Sequence, residues 1–372
     1  MKKLVVIPSD PLEAYEKAGY LARLLAENYF NPAGAFSRVF LLSPLEPQGH
    51  RKLGALTVIG ARGLHFPEVL AKIGPDLIRG YGGYWACDQA VYSGCLACPD
   101  TPLYISVHDS SPGLIHDSLL FADKVHCTSG AVKNAVLGHG VEEARTVVVP
   151  NFINPDVFSP RRAGPDQAGM LGLPAGCKPL LHVGRKTKQK NLETVIAALR
   201  YLPPDYVAIF IGRGDDTPYK RLAEKLQVAS RCFWLDHVAN SELPRWYSWC
   251  EVMCTPSRWE GFGIVFAEAL ACGAKIVTSD ISPMNEYLVN GENAVLVKEH
   301  ENPKALAEGI LRFSDSGFSS AVSAQAVISS KQFHRERVQG IEAREMMNTV
   351  VQPKAAASSR KLRMQALHYF TS

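Results

Sequence analysis

Short apolar runs alternate with stretches of helical spacing along this chain, and partway through the alternation stops and starts again. Residues 4–7, 39–42, 56–59 and 103–107 read as strands, and 17–29 has helical spacing. A further strand at 147–149 is stopped by Pro150. Residues 151–176, rich in Pro, Gly, Asp and Arg, then read as a linker. Beyond them come strands at 180–183 and 207–211, helices at 192–199 and 219–226, and short strands at 232–235, 252–254, 275–278 and 294–297. Alternation of this kind calls for parallel sheets covered by helices on both faces. A chain of 372 residues is long enough for two such domains, each with its own core. The expected class is α/β, two Rossmann-like domains facing each other across a cleft, with ligands at the carboxyl ends of the strands.

Composition narrows the possibilities. Hydrophobic residues make up 47% and charged residues 20%, which describes a globular chain. No apolar run approaches the roughly 18 residues of a membrane span. The opening run is cut short by Pro8, Ser9 and Asp10, so it reads as a strand and not as a signal peptide. Nine cysteines, an odd number in apolar surroundings, suit a reducing compartment, hence a cytoplasmic location. Cys95 and Cys98 make a Cys-x-x-Cys pair near Cys87, but no second such pair or His pair accompanies it, so core cysteines are the expectation and no metal is assigned. The net charge of +4 sits wholly in the tail, at Lys354, Arg360, Lys361 and Arg363. The balanced body is not built to coat nucleic acid.

Two stretches carry chemistry. In the first, Thr255 to Gly273, a strand end and a turn lead into an apolar helix that holds Glu268, with Glu260 at the helix entrance. Glycines 261 and 263 let backbone amides at a helix N-terminus approach a phosphate. Two acids bracketing an anion site suit a nucleotide sugar, one for sugar hydroxyls and one for ribose. Against this stands a plain alternative, with Glu260 as a cap and Glu268 on the surface. In the second, a strand at 180–183 runs into Gly184-Arg185-Lys186-Thr187-Lys188-Gln189-Lys190-Asn191. Such a loop can hold a phosphate by an Arg fork and a Lys point charge, or it is a solvated basic turn.

Together these stretches resemble the retaining family-4 (group 1) glycosyltransferases of the GT-B fold. The Glu260-x7-Glu268 spacing is similar to that family's signature, and Gly184-Arg185 followed by Lys190-Asn191 to its phosphate loop. Val149-Pro150-Asn151-Phe152-Ile153-Asn154 with Phe158 resembles its interdomain segment, with Phe152 where Gly is customary. The stretch from Glu286 to Val297 resembles another family segment, with Ala294 replacing a Gly. The likeness is dense over 147–310 and thin before 100.

The resemblance implies an N-terminal acceptor-side domain at 1–165, a donor-binding domain at 166–332, a helix at 333–352 crossing back to the first domain, and the basic tail at 353–372. It assigns catalytic roles to His108, Glu260, Arg185 and Lys190, with Arg185 and Lys190 neutralising the leaving diphosphate. Donor contacts fall to Glu268 at the ribose, Val238 at the base, and Gly261, Phe262, Gly263, Ile264 and Val265 at sugar and phosphate. Gly19 is the nearest match to a glycine turn opening the first helix. The implied activity moves a hexose-type sugar from a nucleotide diphosphate sugar, UDP-sugar before GDP-sugar, to a glycan, glycolipid or natural-product acceptor. No cofactor is implied, and no Asp-x-Asp pair for a divalent ion occurs in the chain.

Two other functions compete. A nicotinamide-dependent oxidoreductase needs Gly-x-Gly-x-x-Gly after a strand, and the segments starting at Gly80, Gly212 and Gly261 all lack the last glycine. A non-catalytic nucleotide-sugar binding protein needs only the donor residues. Drawn as a helix, the tail puts Leu362, Ala366, Tyr369 and Phe370 on one stripe with basic residues beside it. That pattern suits peripheral contact with the inner face of an anionic membrane; the plainer alternatives are a disordered terminus or a short helix docked on the first domain.

Overall fold

The computed structural model describes residues 2–43, 46–161, 166–351 and 356–371. The chain forms two compact units, Met1–Asn151 together with Arg335–Ser372, and Phe152–His334. Both units are α/β, each a sheet flanked by helices.

The first unit is built on eight strands: β1 Lys3–Ile7, β2 Arg38–Ser43, β3 Gly49–Leu53, β4 Leu56–Gly60, β5 Leu77–Tyr81, β6 Leu103–Val107, β7 Lys124–Cys127 and β8 Thr146–Val148. They lie in the order β3-β4-β2-β1-β5-β6-β7-β8. The sheet is parallel except where β3 pairs antiparallel with β4. Side chains alternate between faces with period two, so Val5 and Ile7 join one core layer while Leu4 and Val6 join the other. Strand β5 escapes a hydrophobic pattern search because Arg79 stands in its middle, and β7 because it reads Lys-Val-His-Cys. Both are nonetheless buried: Arg79 is 1% exposed and His126 4%.

The second unit carries β9 Lys178–Val183, β10 Tyr206–Ile211, β11 Cys232–Leu235, β12 Val252–Cys254, β13 Ile276–Ser279 and β14 Val295–Val297. Their order is β11-β10-β9-β12-β13-β14, all parallel. Each sheet therefore has one place where the winding reverses, between β1 and β5 in the first unit and between β9 and β12 in the second. Crevices at the carboxyl ends of such strand pairs are where open α/β sheets take ligands.

Helical stretches differ from expectation in two places. The spacing over 17–29 is not one helix: Leu12–Lys17 and Leu21–Ala26 are separate, parted at Gly19, whose φ of 77° ends the first. The tail forms a helix, Ala356–Thr371, whose inward face shares Ala366 and Phe370 with the stripe drawn from the sequence but not Tyr369. Arg363 and Ala366 are buried, Leu367 and Phe370 pack against the first core, and Tyr369 is 51% exposed. Arg363 donates to Asp123 (2.8 Å) and to the Thr101 carbonyl (3.0 Å), and the Phe370 ring meets Tyr92 edge-on at 5.6 Å. Lys354 lies outside the described residues, and the side chains of Arg360 and Lys361 are likewise not described. Among the described residues no helix is long and apolar enough to cross a membrane. All nine cysteines are free thiols, and burial pushes that of Cys87 up to about 12.

Candidate active site

The reversal between β9 and β12 delivers both informative loops to one place. Residues 184–191 leave the end of β9, and residues 255–263 leave the end of β12. The two loops are laced together. Arg258 N–H donates to the Gln189 carbonyl (2.8 Å), Gln189 Nε2 to the Trp259 carbonyl (2.9 Å), and Asn191 Nδ2 to the Pro256 carbonyl (3.0 Å). Arg258 further pairs with Glu193 at 3.1 Å and with Glu301. At the centre, Lys190 Nζ donates to Glu260 Oε1 at 2.5 Å, and Ser257 Oγ donates to the same oxygen at 2.8 Å. Lys190 and Glu260 are 8% and 6% exposed, so this is a buried ion pair and not a solvated basic turn. Arg185 stays exposed beside it, its Nη2 3.4 Å from Gln189 Oε1. The crowding fixes small residues nearby: a Cβ on Gly212 falls 1.9 Å from the Gly184 carbonyl oxygen.

The helix after the turn runs Ile264–Ala271. Glu260 therefore precedes it by a full turn of non-helical chain, and helical rise does not set its separation from Glu268. Gly263 takes φ 79° at the helix entrance, a conformation that costs a side-chain-bearing residue, and a Cβ there meets the Phe266 ring at 2.7 Å. Tyr287, which sequence patterns do not single out, donates to the carbonyls of Phe262 (2.8 Å) and Gly263 (3.2 Å) and stacks on Phe262 at 5.3 Å. Glu268 is 4% exposed, so it is no surface residue. Tyr247 O–H donates to its Oε2 at 3.1 Å, and Asn240 Nδ2 lies 3.5 Å from its Oε1. Val238 is half-buried against the same core, beyond the end of β11. Gly261, Phe262, Ile264 and Val265 complete the turn and the first helical residues.

In the first unit the reversal between β1 and β5 carries a cavity of about 260 Å³ lined by Ser9, Tyr29, Tyr81, Gly82, Gly83, Tyr84, Val107, His108, Asp109 and Leu114. His108 follows β6 and stacks on Tyr81, with ring centroids 5.8 Å apart and planes inclined by 15°. Its Nε2 is withdrawn from solvent with no hydrogen-bond partner. Burial, reinforced by His126 and Arg79, pulls its pKa down to about 3, so the imidazole is neutral at physiological pH. Gly19 is not at this concavity. It follows the first helix, and the chain entering that helix is Ser9, Asp10 and Pro11. The cavity's Ser9, Tyr81 and Tyr84 escape sequence reading because no local motif marks them. The Gly82-Gly83 pair beside them is the signal available.

Sequence and structure comparisons agree with this geometry. Residues 169–327 match the family model "Glycosyl transferases group 1". The chain is 29% identical over 221 residues to D-inositol 3-phosphate glycosyltransferase of Xylanimonas cellulosilytica, covering 56% of this chain and 52% of that protein. It is 28% identical over 209 residues to the lipopolysaccharide core biosynthesis mannosyltransferase LpsB of Rhizobium meliloti, covering 52% of this chain and 56% of that one. It thus spans about half the length of the curated relatives it matches. Among solved structures, HepE from Anabaena in complex with UDP superposes with a TM-score of 0.75 at 20% identity, over 94% of this chain and 100% of that one. Sucrose-phosphate synthase from Thermosynechococcus elongatus gives 0.72 at 20% identity, over 93% and 99%. The part of the chain that carries the Glu260–Lys190 site is thus similar to the group 1 glycosyl transferases.

Proposed function

We propose that the chain transfers a hexose-type sugar from a nucleotide diphosphate sugar to a hydroxyl-bearing acceptor (a glycan, a glycolipid or a natural product) with retention of anomeric configuration and without a metal ion. One observation carries this: the buried Lys190–Glu260 pair, at the point where two strand-end loops meet and beside the exposed Arg185. Glu260 holds the Lys190 ammonium in place, and together with Arg185 that charge opposes the negative charge that grows on a departing diphosphate. Glu268, fixed by Tyr247 and Asn240, is assigned to the ribose hydroxyls. The backbone of Gly261 to Val265 is assigned to sugar and phosphate, and that of Val238 to the base. The UDP held by HepE and the UDP-glucose in a further HepE structure support a UDP-sugar as the first donor to try, with GDP-sugars next.

Both glutamates are assigned to holding the donor, so neither is assigned as a nucleophile. Transfer is accordingly assigned to same-face attack. The bond from the anomeric carbon to phosphate oxygen breaks, the bond to the acceptor oxygen forms on the same face, and the acceptor proton passes to the phosphate oxygen. The first unit's cavity, with its aromatic walls and hydroxyls, suits a polyhydroxylated acceptor ring, and neutral His108 lines it without adding charge. For the tail we infer docking on the first unit, because Arg363 and Ala366 are buried there and Leu367 and Phe370 pack against its core. The test of the transfer reading is the anomeric NMR signal of the product formed from UDP-glucose in excess EDTA. Retention is expected. An inverted product, or activity abolished by EDTA and restored by magnesium, overturns it.

A further inference from the structure

A buried arginine in the middle of a parallel strand demands compensation, and here the partner comes from far along the chain. Arg79 of β5 donates through Nη2 to Glu342, which lies on the helix Arg335–Val351. Its Nε donates to Ser106 Oγ at 3.1 Å, and its guanidinium lies 4.1 Å from the Tyr81 ring centroid. The same Glu342 oxygen is 3.3 Å from His126 Nδ1, while His126 Nε2 faces the Val149 carbonyl at 2.7 Å. Burial alone raises the carboxyl pKa of Glu342, but Arg79 and His126 outweigh it and hold it at about 2, so the group is ionised. Tyr81 and His126 are also the two rings against His108, at 5.8 Å and 6.0 Å between centroids. One carboxylate thus anchors both neighbours of the imidazole that lines the cavity.

We propose that Glu342 is a positioning residue for His108: by holding Arg79 beneath Tyr81 and fixing His126, it sets the ring's orientation in the cavity without reaching that cavity itself. This rests on the transfer reading for its catalytic consequence, and on geometry alone for the positioning. A buried ion pair with further hydrogen bonds holds its members in place, and an active-site group displaced by about 1 Å can cost about a hundredfold in rate. Glu342 belongs to the first unit and the donor residues to the second, so donor affinity should be untouched.

The experiment uses the full chain as wild type, Glu342→Gln and Glu342→Asp. It measures three things: the His108 ring signals by NMR with His182 as internal reference, UDP affinity by calorimetry, and the steady-state constants for UDP-glucose turnover to UDP. Glu342→Gln should shift the His108 signals and leave those of His182 and the UDP Kd unchanged. It should lower kcat about a hundredfold with little change in donor KM. Glu342→Asp, which keeps the charge, should recover part of the loss. Unshifted His108 signals in a folded Glu342→Gln protein overturn the proposal. So does a shift accompanied by unaltered kcat, which assigns Glu342 to stability alone. If the wild type binds no UDP and turns over no UDP-glucose, it is the transfer reading that fails. The ring signals then decide the positioning by themselves.

Discussion

Replacing Lys190 by methionine keeps the aliphatic stem that packs 3.1 Å from where a Gly184 Cβ would be, and removes only the ammonium. What remains is the Glu260 carboxylate, 6% exposed, with the Ser257 hydroxyl at 2.8 Å and the Gln189 amide at 3.5 Å. Breaking a buried pair by removing one partner costs about 3–5 kcal/mol, because the other charge is left uncompensated. The surviving hydroxyl puts Lys190→Met near the lower end, at about 3 kcal/mol. Glu260→Leu strands the ammonium instead and should cost at least as much. Replacing both partners leaves no uncompensated charge, and such exchanges are often close to neutral. The double variant should therefore be more stable than the sum of the single effects predicts by at least about 2 kcal/mol. Guanidinium unfolding followed by tryptophan fluorescence suits the measurement, because Trp234, Trp246, Trp249 and Trp259 all lie in the second unit and only Trp85 in the first. Losses that add to within about 0.5 kcal/mol would show that the two groups do not compensate one another, and the electrostatic account of this site would fall.

Glu268→Ala should remove a charged hydrogen bond of roughly 1.5–3 kcal/mol and weaken UDP binding about tenfold or more by calorimetry, and an unchanged Kd in a folded variant excludes a ribose role. Truncation after Val351 should destabilise the first unit by exposing the surface that Arg363, Ala366 and Phe370 cover, while vesicle sedimentation at low salt should find neither full-length nor truncated protein on anionic liposomes. Strong salt-sensitive binding by the full-length chain alone would reverse that assignment of the tail.

What could be read from the sequence follows the range of the interactions involved. Glu260, Glu268, Arg185 and Lys190 stand in two short stretches whose local spacing is informative, and the structure brings Lys190 and Glu260 into contact although they lie 70 positions apart. The strands of the second unit were legible because parallel strands buried on both faces are uninterrupted apolar runs. Strand β5 was not, since hydrophobic periodicity counts Arg79 as a break and cannot know that Glu342 neutralises it 263 residues later. The same holds for the first-unit cavity, whose walls come from the ends of β1, β5 and β6 and share no motif. Gly19 was matched by sequence position to a turn opening the first helix, whereas it follows the helix Leu12–Lys17.

The first unit is interrupted in sequence by the whole of the second. The chain leaves it after Asn151 and re-enters at Arg335, and the exit and return lie side by side, with Ile153 N–H donating to the Phe333 carbonyl at 2.8 Å. On the ribosome this order of synthesis imposes a wait. Arg79 emerges 263 residues ahead of Glu342, which at roughly 5–20 residues per second is about 13–53 s during which the guanidinium has no carboxylate to be buried against. The second unit, contiguous from Phe152 to His334, has no such dependence and can complete its sheet first. The nascent N-terminal segment is then the stretch most in need of protection from premature collapse, and the last helices to be made are the ones that let it close.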